Sequence, residues 1–143
     1  MAFETLVFQA LRNRLVAFNS PTLPINWFND AIAFVPPVDG EGRPLPYLKA
    51  DLLWNRNVNR FIKHTSTTEH RGIFQVTVIY PSYMGIVTVT DIAGNIANWF
   101  ERGTVISVTG CKVEISGKPD LGGYSQDGLT VRLPITIEFY AFE

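Results

Sequence analysis

Between Arg71 and Pro81 the side chains alternate with a period of two. Phe74, Val76, Val78 and Tyr80 fall on one side, and Ile73, Gln75, Thr77 and Ile79 on the other. One face is wholly apolar; the other carries β-branched residues around a polar centre. The stretch reads as a central strand that packs a helix on one side and a partner or second sheet on the other. Helical spacing brackets it. Phe3, Leu6, Val7, Leu11, Leu15 and Phe18 recur at three- and four-residue intervals, which predicts an amphipathic helix over 3–18, with Glu4 at its positive end and Asn19-Ser20-Pro21 stopping it. A second helix is predicted to open at Thr88-x-x-Asp91 as a capping box. It carries Val89, Ile92, Ala93, Ile96, Ala97 and Phe100 on one stripe and closes with Arg102 in its last turn and Gly103 just past it.

Other strands follow from the same alternation. Leu23 to Trp27 opens one, with Ile25 and Trp27 on a shared face; a short run from Ala31 to Val35 ends at Pro36-Pro37, which cannot continue a central ladder. Residues 38–46 form a turn-rich connector whose glycines lack a phosphate-cradle pattern. Tyr47 to Trp54 turns Leu48, Ala50, Leu52 and Trp54 inward and Lys49 and Asp51 outward. Thr104 to Val108 and Cys111 to Ser116 are one bulged strand or two strands around Thr109-Gly110, and residues 117–128 are a glycine-rich loop. The last strand sets Leu129, Val131, Leu133, Ile135, Ile137, Phe139 and Ala141 on one face. Pro134, on the outward set, predicts a bend or an edge. The order predicts an α+β fold over 1–143: a mostly antiparallel or mixed sheet with two amphipathic helices on one face, in a single domain.

Composition narrows the function. Charged residues make up 17% of the chain and the net charge is −1, so no global electrostatic case for nucleic acid or a membrane arises. With 46% hydrophobic residues, ten Phe, five Tyr and three Trp, some apolar surface is expected to meet other protein. No apolar run reaches the ~18 residues of a membrane helix, and the first residues lack a secretory pattern, so a soluble, cytosolically made protein is expected. Cys111 is the single cysteine and reads as a small core residue. His64 and His70 with Glu69 are the only metal or acid–base candidates; two histidines six residues apart do not share a helical face, and both read as exposed loop residues. Asp30, Asp39, Glu41 and Asp51 read as solvated carboxylates. The expectation is no catalytic group, no metal, no cofactor and no enzyme. The largest local charge bias lies in 55–71, where Arg56, Arg60, Lys63 and Arg71 face one acid, Glu69. This polar segment is a loop or an extended hairpin arm that orders on assembly.

Leu23-Pro-Ile-x-Trp27, Pro36-Pro37 with Tyr47-Leu48, Arg71-Gly-Ile-Phe-Gln-Val76 with Tyr80-Pro81, Phe100-x-Arg102-Gly-Thr104 and Leu133-Pro-Ile-x-Ile137 occur in this order along most of the chain. Together they resemble the tail-terminator-like (tail completion) family of long-tailed bacteriophages. The chain departs from the family pattern in having Glu101 where proline is expected and no glycine between Asn55 and His70. The resemblance implies a structural virion protein of the tail or neck, assembled in the host cytoplasm. It implies a homo-oligomeric ring, typically hexameric, at the head-proximal end of the tail tube, ending tube polymerisation and offering a docking surface to the head connector. Its partners would be further copies of itself, the tail tube protein and the head–tail connector or head completion protein, with DNA passing through the lumen without specific binding and with no membrane. The residues expected at subunit contacts are Trp54, Arg56, Arg60, Lys63, His64, Arg71, Gln75 and Thr77. Alternatives are another tail or neck component (a tube subunit or head-closure protein) or a small-molecule-binding α+β domain.

Overall fold

A computed structural model describes residues 1–59 and 68–143. The elements run α1 (Phe3–Val16), β1 (Ile25–Trp27), β2 (Tyr47–Trp54), β3 (Val58–Asn59), β4 (Thr68–Pro81), α2 (Val87–Trp99), β5 (Val105–Val108), β6 (Cys111–Ile115), β7 (Asp120–Leu121), β8 (Ser125–Asp127) and β9 (Thr130–Phe142). The predicted α+β architecture is present: two helices and one mixed, strongly curled sheet. Its order is β1-β2-β4-β9-β6-β5, with β3 on β4 and with β7 and β8 on β9. Among the described residues only β1 and β2 pair in parallel; every other ladder is antiparallel.

The Arg71–Pro81 stretch lies at the centre, inside the longer β4. It pairs with β2 on one side and along its whole length with β9 on the other, from Glu69↔Phe142 to Pro81↔Thr130. Phe74, Val76 and Val78 are fully buried beneath the helices, beside Leu133, Ile135 and Ile137 of β9. On α1, Val7, Ala10, Leu11 and Leu15 close over this layer; on α2, Val89, Ile92, Ala93, Ile96 and Ala97 do the same, so both helices serve one core. Burying such side chains contributes roughly 1.5–3 kcal/mol each, which is why the apolar stripes fix both helix orientations.

The two helices also lock to each other. Arg14 near the end of α1 donates through Nη2 and Nε to the Trp99 carbonyl, at 2.8 and 3.2 Å. Trp99 Nε1 donates back to the Arg14 carbonyl at 2.7 Å, and the guanidinium lies 3.8 Å from the Trp99 ring centroid. Each pair satisfies a carbonyl that a helix terminus leaves without an intrahelical donor, and the cation suits the negative end of α2.

Several expectations need correction. Residues 31–35 form no strand: the backbone there joins no ladder, Ile32 and Val35 are exposed, and Phe34 packs on Tyr47 instead. Helix α2 starts at Val87, with Ile86 as its N-cap and no side-chain cap, so Thr88 lies inside the first turn and the Thr88–Asp91 box does not form. It ends at Trp99, which leaves Arg102 beyond the helix. Residues 104–116 are two strands joined at Thr109-Gly110, where Gly110 takes a φ of +85° that favours glycine. The 117–128 loop contributes β7 and β8, each pairing with β9. Pro134 therefore sits in an interior strand, at the gap between those two short partners, and its carbonyl accepts from the Gly122 N–H at 2.7 Å.

Candidate assembly surface

Both helices lie on one face of the sheet; among the described residues no helix covers the opposite face, where Glu69 and Ile79 at the two ends of β4 are buried and the stretch between them is half-buried or exposed. Across that open face run Lys49, Asp51 and Leu53 of β2, then Thr77, Gln75, Ile73 and Arg71 of β4, then Pro134, Thr136, Glu138 and Tyr140 of β9. The register puts them in rows: Lys49 beside Thr77 and Pro134, Asp51 beside Gln75 and Thr136. Gln75 and Thr77 are half-buried and Arg71 is exposed. Three of the residues expected at contacts thus share one surface.

Trp54 does not join them. Its position in the alternation places it on the helix face with Leu48, Ala50 and Leu52, where its ring meets Phe139 edge-on with centroids 5.7 Å apart. The row there is Trp54, Gly72, Phe139. Gly72 explains the contact: an added Cβ would stand 2.7 Å from Phe139 Cζ and 2.5 Å from the Leu53 carbonyl oxygen. A two-residue alternation carries side chains to opposite faces, so Trp54 and Arg71 cannot act from one surface by that route. Arg56 is exposed between β2 and β3. Arg60, Lys63 and His64 lie outside the described residues. The flanks of that segment pair as a hairpin, Val58 with Glu69 and Asn59 with Thr68.

His70 is not an exposed loop residue. It lies in β4, 3% exposed, with Nε2 2.7 Å from Glu143 Oε2, Nδ1 3.6 Å from Glu4 Oε1, and the Phe3 ring 4.9 Å away. These contacts tie the chain's two ends to the middle of the sheet. Glu69 is buried on the opposite side of the strand, lining a cavity of about 610 Å³ with Asn55, Arg71, Gly72, Ser116, Glu138, Phe139, Tyr140 and Phe142. Consecutive strand residues point to opposite faces, so Glu69 and His70 form no shared cluster. Among the described residues no group of three or more His, Cys, Asp or Glu could hold a metal ion. Burial pushes the Cys111 thiol above its usual range, which disfavours the thiolate a nucleophile needs. No helix among the described residues is long and apolar enough to cross a membrane.

Sequence reasoning missed two surfaces. The first surrounds the β4–α2 turn, where Tyr83, Met84, Ile86 and Val87 are exposed together with Leu129 and Tyr124. They are gathered by the Ser82 N–H donating to the Leu129 carbonyl at 2.8 Å, by Ser82 Oγ donating to the Gly128 carbonyl, and by a hydrogen bond between the Thr90 and Tyr124 hydroxyls. Exposed apolar clusters of this kind mark sites of contact with other protein, a membrane or a ligand. The signal was present as the run Tyr-Met-Gly-Ile-Val, which also satisfies a turn. The second is a groove of about 550 Å³ between α1 and β1–β2, lined chiefly by Phe8, Trp27, Phe28, Leu52 and Trp54 with Glu4 and Asp51 at its margin.

Comparison with known proteins agrees with this architecture. A solved chain designated only by a sequence identifier superposes with a TM-score of 0.73 at 23% identity, covering 98% of this chain and 95% of its own length. At that identity the likeness establishes the fold alone. No curated protein matches. A family model described as phage tail terminator protein matches residues 6–139, from the first turns of α1 to the Phe139 end of β9. This chain belongs to the phage tail terminator protein family.

Proposed function

We propose that the chain is a structural virion protein that forms a ring, hexameric as in the family it resembles, on the head-proximal end of the tail tube. There it ends tube polymerisation and presents the surface on which the head connector docks, acting as one domain without catalysis. The observation that carries this reading is the family match across residues 6–139. The surface supports it: among the described residues no helix covers one sheet face, and exposed apolar residues gather at the β4–α2 turn and along the Phe28–Val38 loop. Cyclic rings use two different patches per subunit, one complementary to the other on the neighbour. Arg71, Gln75 and Thr77 on the open face, with Arg56, Arg60, Lys63 and His64 before them in the chain and Trp54 at the end of β2, are assigned to those contacts. The tube protein and the connector are the other partners, and DNA crosses the lumen without specific recognition. Assembly takes place in the host cytoplasm.

Light scattering on the purified chain, alone and with tail tubes, tests this reading together with electron microscopy of the tube ends. A closed ring, free or capping tubes, is the expected result. Long filaments formed by the chain alone would identify a tube subunit instead. A monomer that leaves tubes growing would refute the proposal. Reversal of Arg56, Arg60 and Lys63 to Glu should abolish ring formation or tail joining; if both survive, the basic segment has no part in the contacts.

A further inference from the structure

Among the described residues two sheet edges have no partner strand, and the backbone geometry says how they fit each other. In a strand the N–H and C=O of one residue point to the same edge, and alternate residues point to opposite edges. Strand β1 covers β2 only at Leu48, Ala50 and the residue between them. The Leu48 N–H donates toward β1, to the Pro24 carbonyl at 2.9 Å, so Leu52 and Trp54 also point that way, beyond the end of β1. The Asn55 N–H bonds Arg71 on the β4 side, as the alternation requires. Among the described residues the Leu52 and Trp54 backbone groups have no partner strand, and the apolar groove opens beside them. At the far edge, the Ile115 N–H donates to the Thr104 carbonyl, so Thr104, Ile106 and Val108 point to β6, and Val105 and Ser107 point outward. No described strand pairs with β5 on that side.

We infer that β5 of one copy adds in parallel to the open Leu52–Trp54 edge of β2 in the next, so that the sheets of the ring are continuous. This rests on the ring reading above and names its joint. Two independent features select the parallel form. Four antiparallel steps separate β2 from β5, so the two strands have the same polarity along the sheet within one copy; in a ring whose sheets are continuous and whose strands run along the axis, the neighbour presents β5 parallel to β2. Side-chain parity gives the same answer. Leu52 lies on the helix face, whereas Val105 and Ser107 lie opposite the buried Ile106. An antiparallel joint would set Leu52 against Ser107 or Val105 and flip the helix layer from copy to copy, which a rotational ring forbids. A parallel joint sets Ile106 level with Trp54 and keeps both helix layers on one side.

That register joins three bonds: Val105 N–H to the Leu52 carbonyl, Trp54 N–H to the Val105 carbonyl, and Ser107 N–H to the Trp54 carbonyl. It also places Leu53 beside Val105 on the open face, covering two exposed apolar side chains that nothing in the monomer explains. Strand β1 ends at Trp27, and Asn29 at a φ of +53° breaks the extended run beyond Phe28, whose side chain lines the groove beside Leu52 and Trp54. Unpaired edges of this kind are natural templates for strand addition.

Two variants test the joint, in the presence of tail tubes if the free chain is monomeric. In a Cys111→Ala background, Leu53→Cys with Val105→Cys should give, under mild oxidation, covalent species at multiples of the 16.0 kDa chain, and neither single cysteine should do so. Ser107→Pro removes an outward N–H that the monomer's ladder does not use, so the chain should fold with an unchanged melting curve while the ring population falls on the order of tenfold or more. A ring of normal size that neither cross-links nor responds to Ser107→Pro overturns the edge joint and leaves the ring reading standing. A chain that stays monomeric with tubes present overturns both.

Discussion

Gly72 is the position where the sheet tolerates least. Replacing it with alanine puts a Cβ 2.7 Å from Phe139 Cζ and 2.5 Å from the Leu53 carbonyl oxygen, against an optimum near 3.5–4.0 Å. One neighbour is a ring buried between Trp54 and the core; the other is backbone held in the β2–β4 ladder, and neither can swing aside. Overpacking of this kind costs about 1–3 kcal/mol, and the lower unfolded-state entropy of alanine returns about 0.4–1 kcal/mol. The expected net loss is about 1–2 kcal/mol, or roughly 2–8 °C in Tm for a domain near this size. Urea unfolding followed by tryptophan fluorescence should show a lower midpoint with an unchanged slope. Adding Phe139→Leu should relieve the ring contact but not the carbonyl contact, so the double variant should show a favourable coupling that recovers only part of the loss. A Gly72→Ala protein as stable as the parent, or full rescue by Phe139→Leu, would refute the reasoning.

Three further outcomes follow from the geometry. Phe74→Ala removes a fully buried ring that faces Trp27 and Phe100, at centroid distances of 6.4 and 5.9 Å, and should cost about 3–5 kcal/mol in the same unfolding assay. Trp99→Phe leaves the Arg14 carbonyl without its indole donor and should cost about 1 kcal/mol, with hydrogen exchange rising at the ends of α1 and α2. Cys111 should react with a thiol reagent at pH 8 at least about a hundredfold more slowly in the native protein than in urea, since burial disfavours its thiolate and screens the sulfur; equal rates would contradict the assigned position.

Much of the fold was legible in the chain itself. The two-residue alternation of 71–81 and 131–141 and the helical stripes of 3–18 and 88–100 identify the core faces, because burial follows the period of apolar residues; Leu129, placed on the core face by the same alternation, lies before β9 and is exposed, and Ile79 is buried on the other face. Element ends were less legible. The Thr88–Asp91 box satisfied a local rule, yet burial of the α2 stripe and the Tyr83–Gly85 turn set where the helix begins. The Ala31–Val35 run had strand-like residues but joins no ladder, with Ile32 and Val35 exposed. His70 looked exposed because polar residues surround it in sequence; only the arrival of Glu4, Phe3 and Glu143 from the two ends of the chain buries it.

For the central strand, the sequence by itself determined that it is a core strand, that one face is apolar, and that it carries no reactive group. Those are properties of consecutive residues, and consecutive residues are what a period reports. Tertiary structure decided that Trp54 and Arg71 lie on opposite faces, that Gly72 makes room for two aromatic rings, and that the Leu52–Trp54 end of β2 and the outer edge of β5 have no partner strand among the described residues. Each of these depends on which strands are neighbours and in what register, and pairing between segments tens of residues apart leaves no periodic mark in the chain.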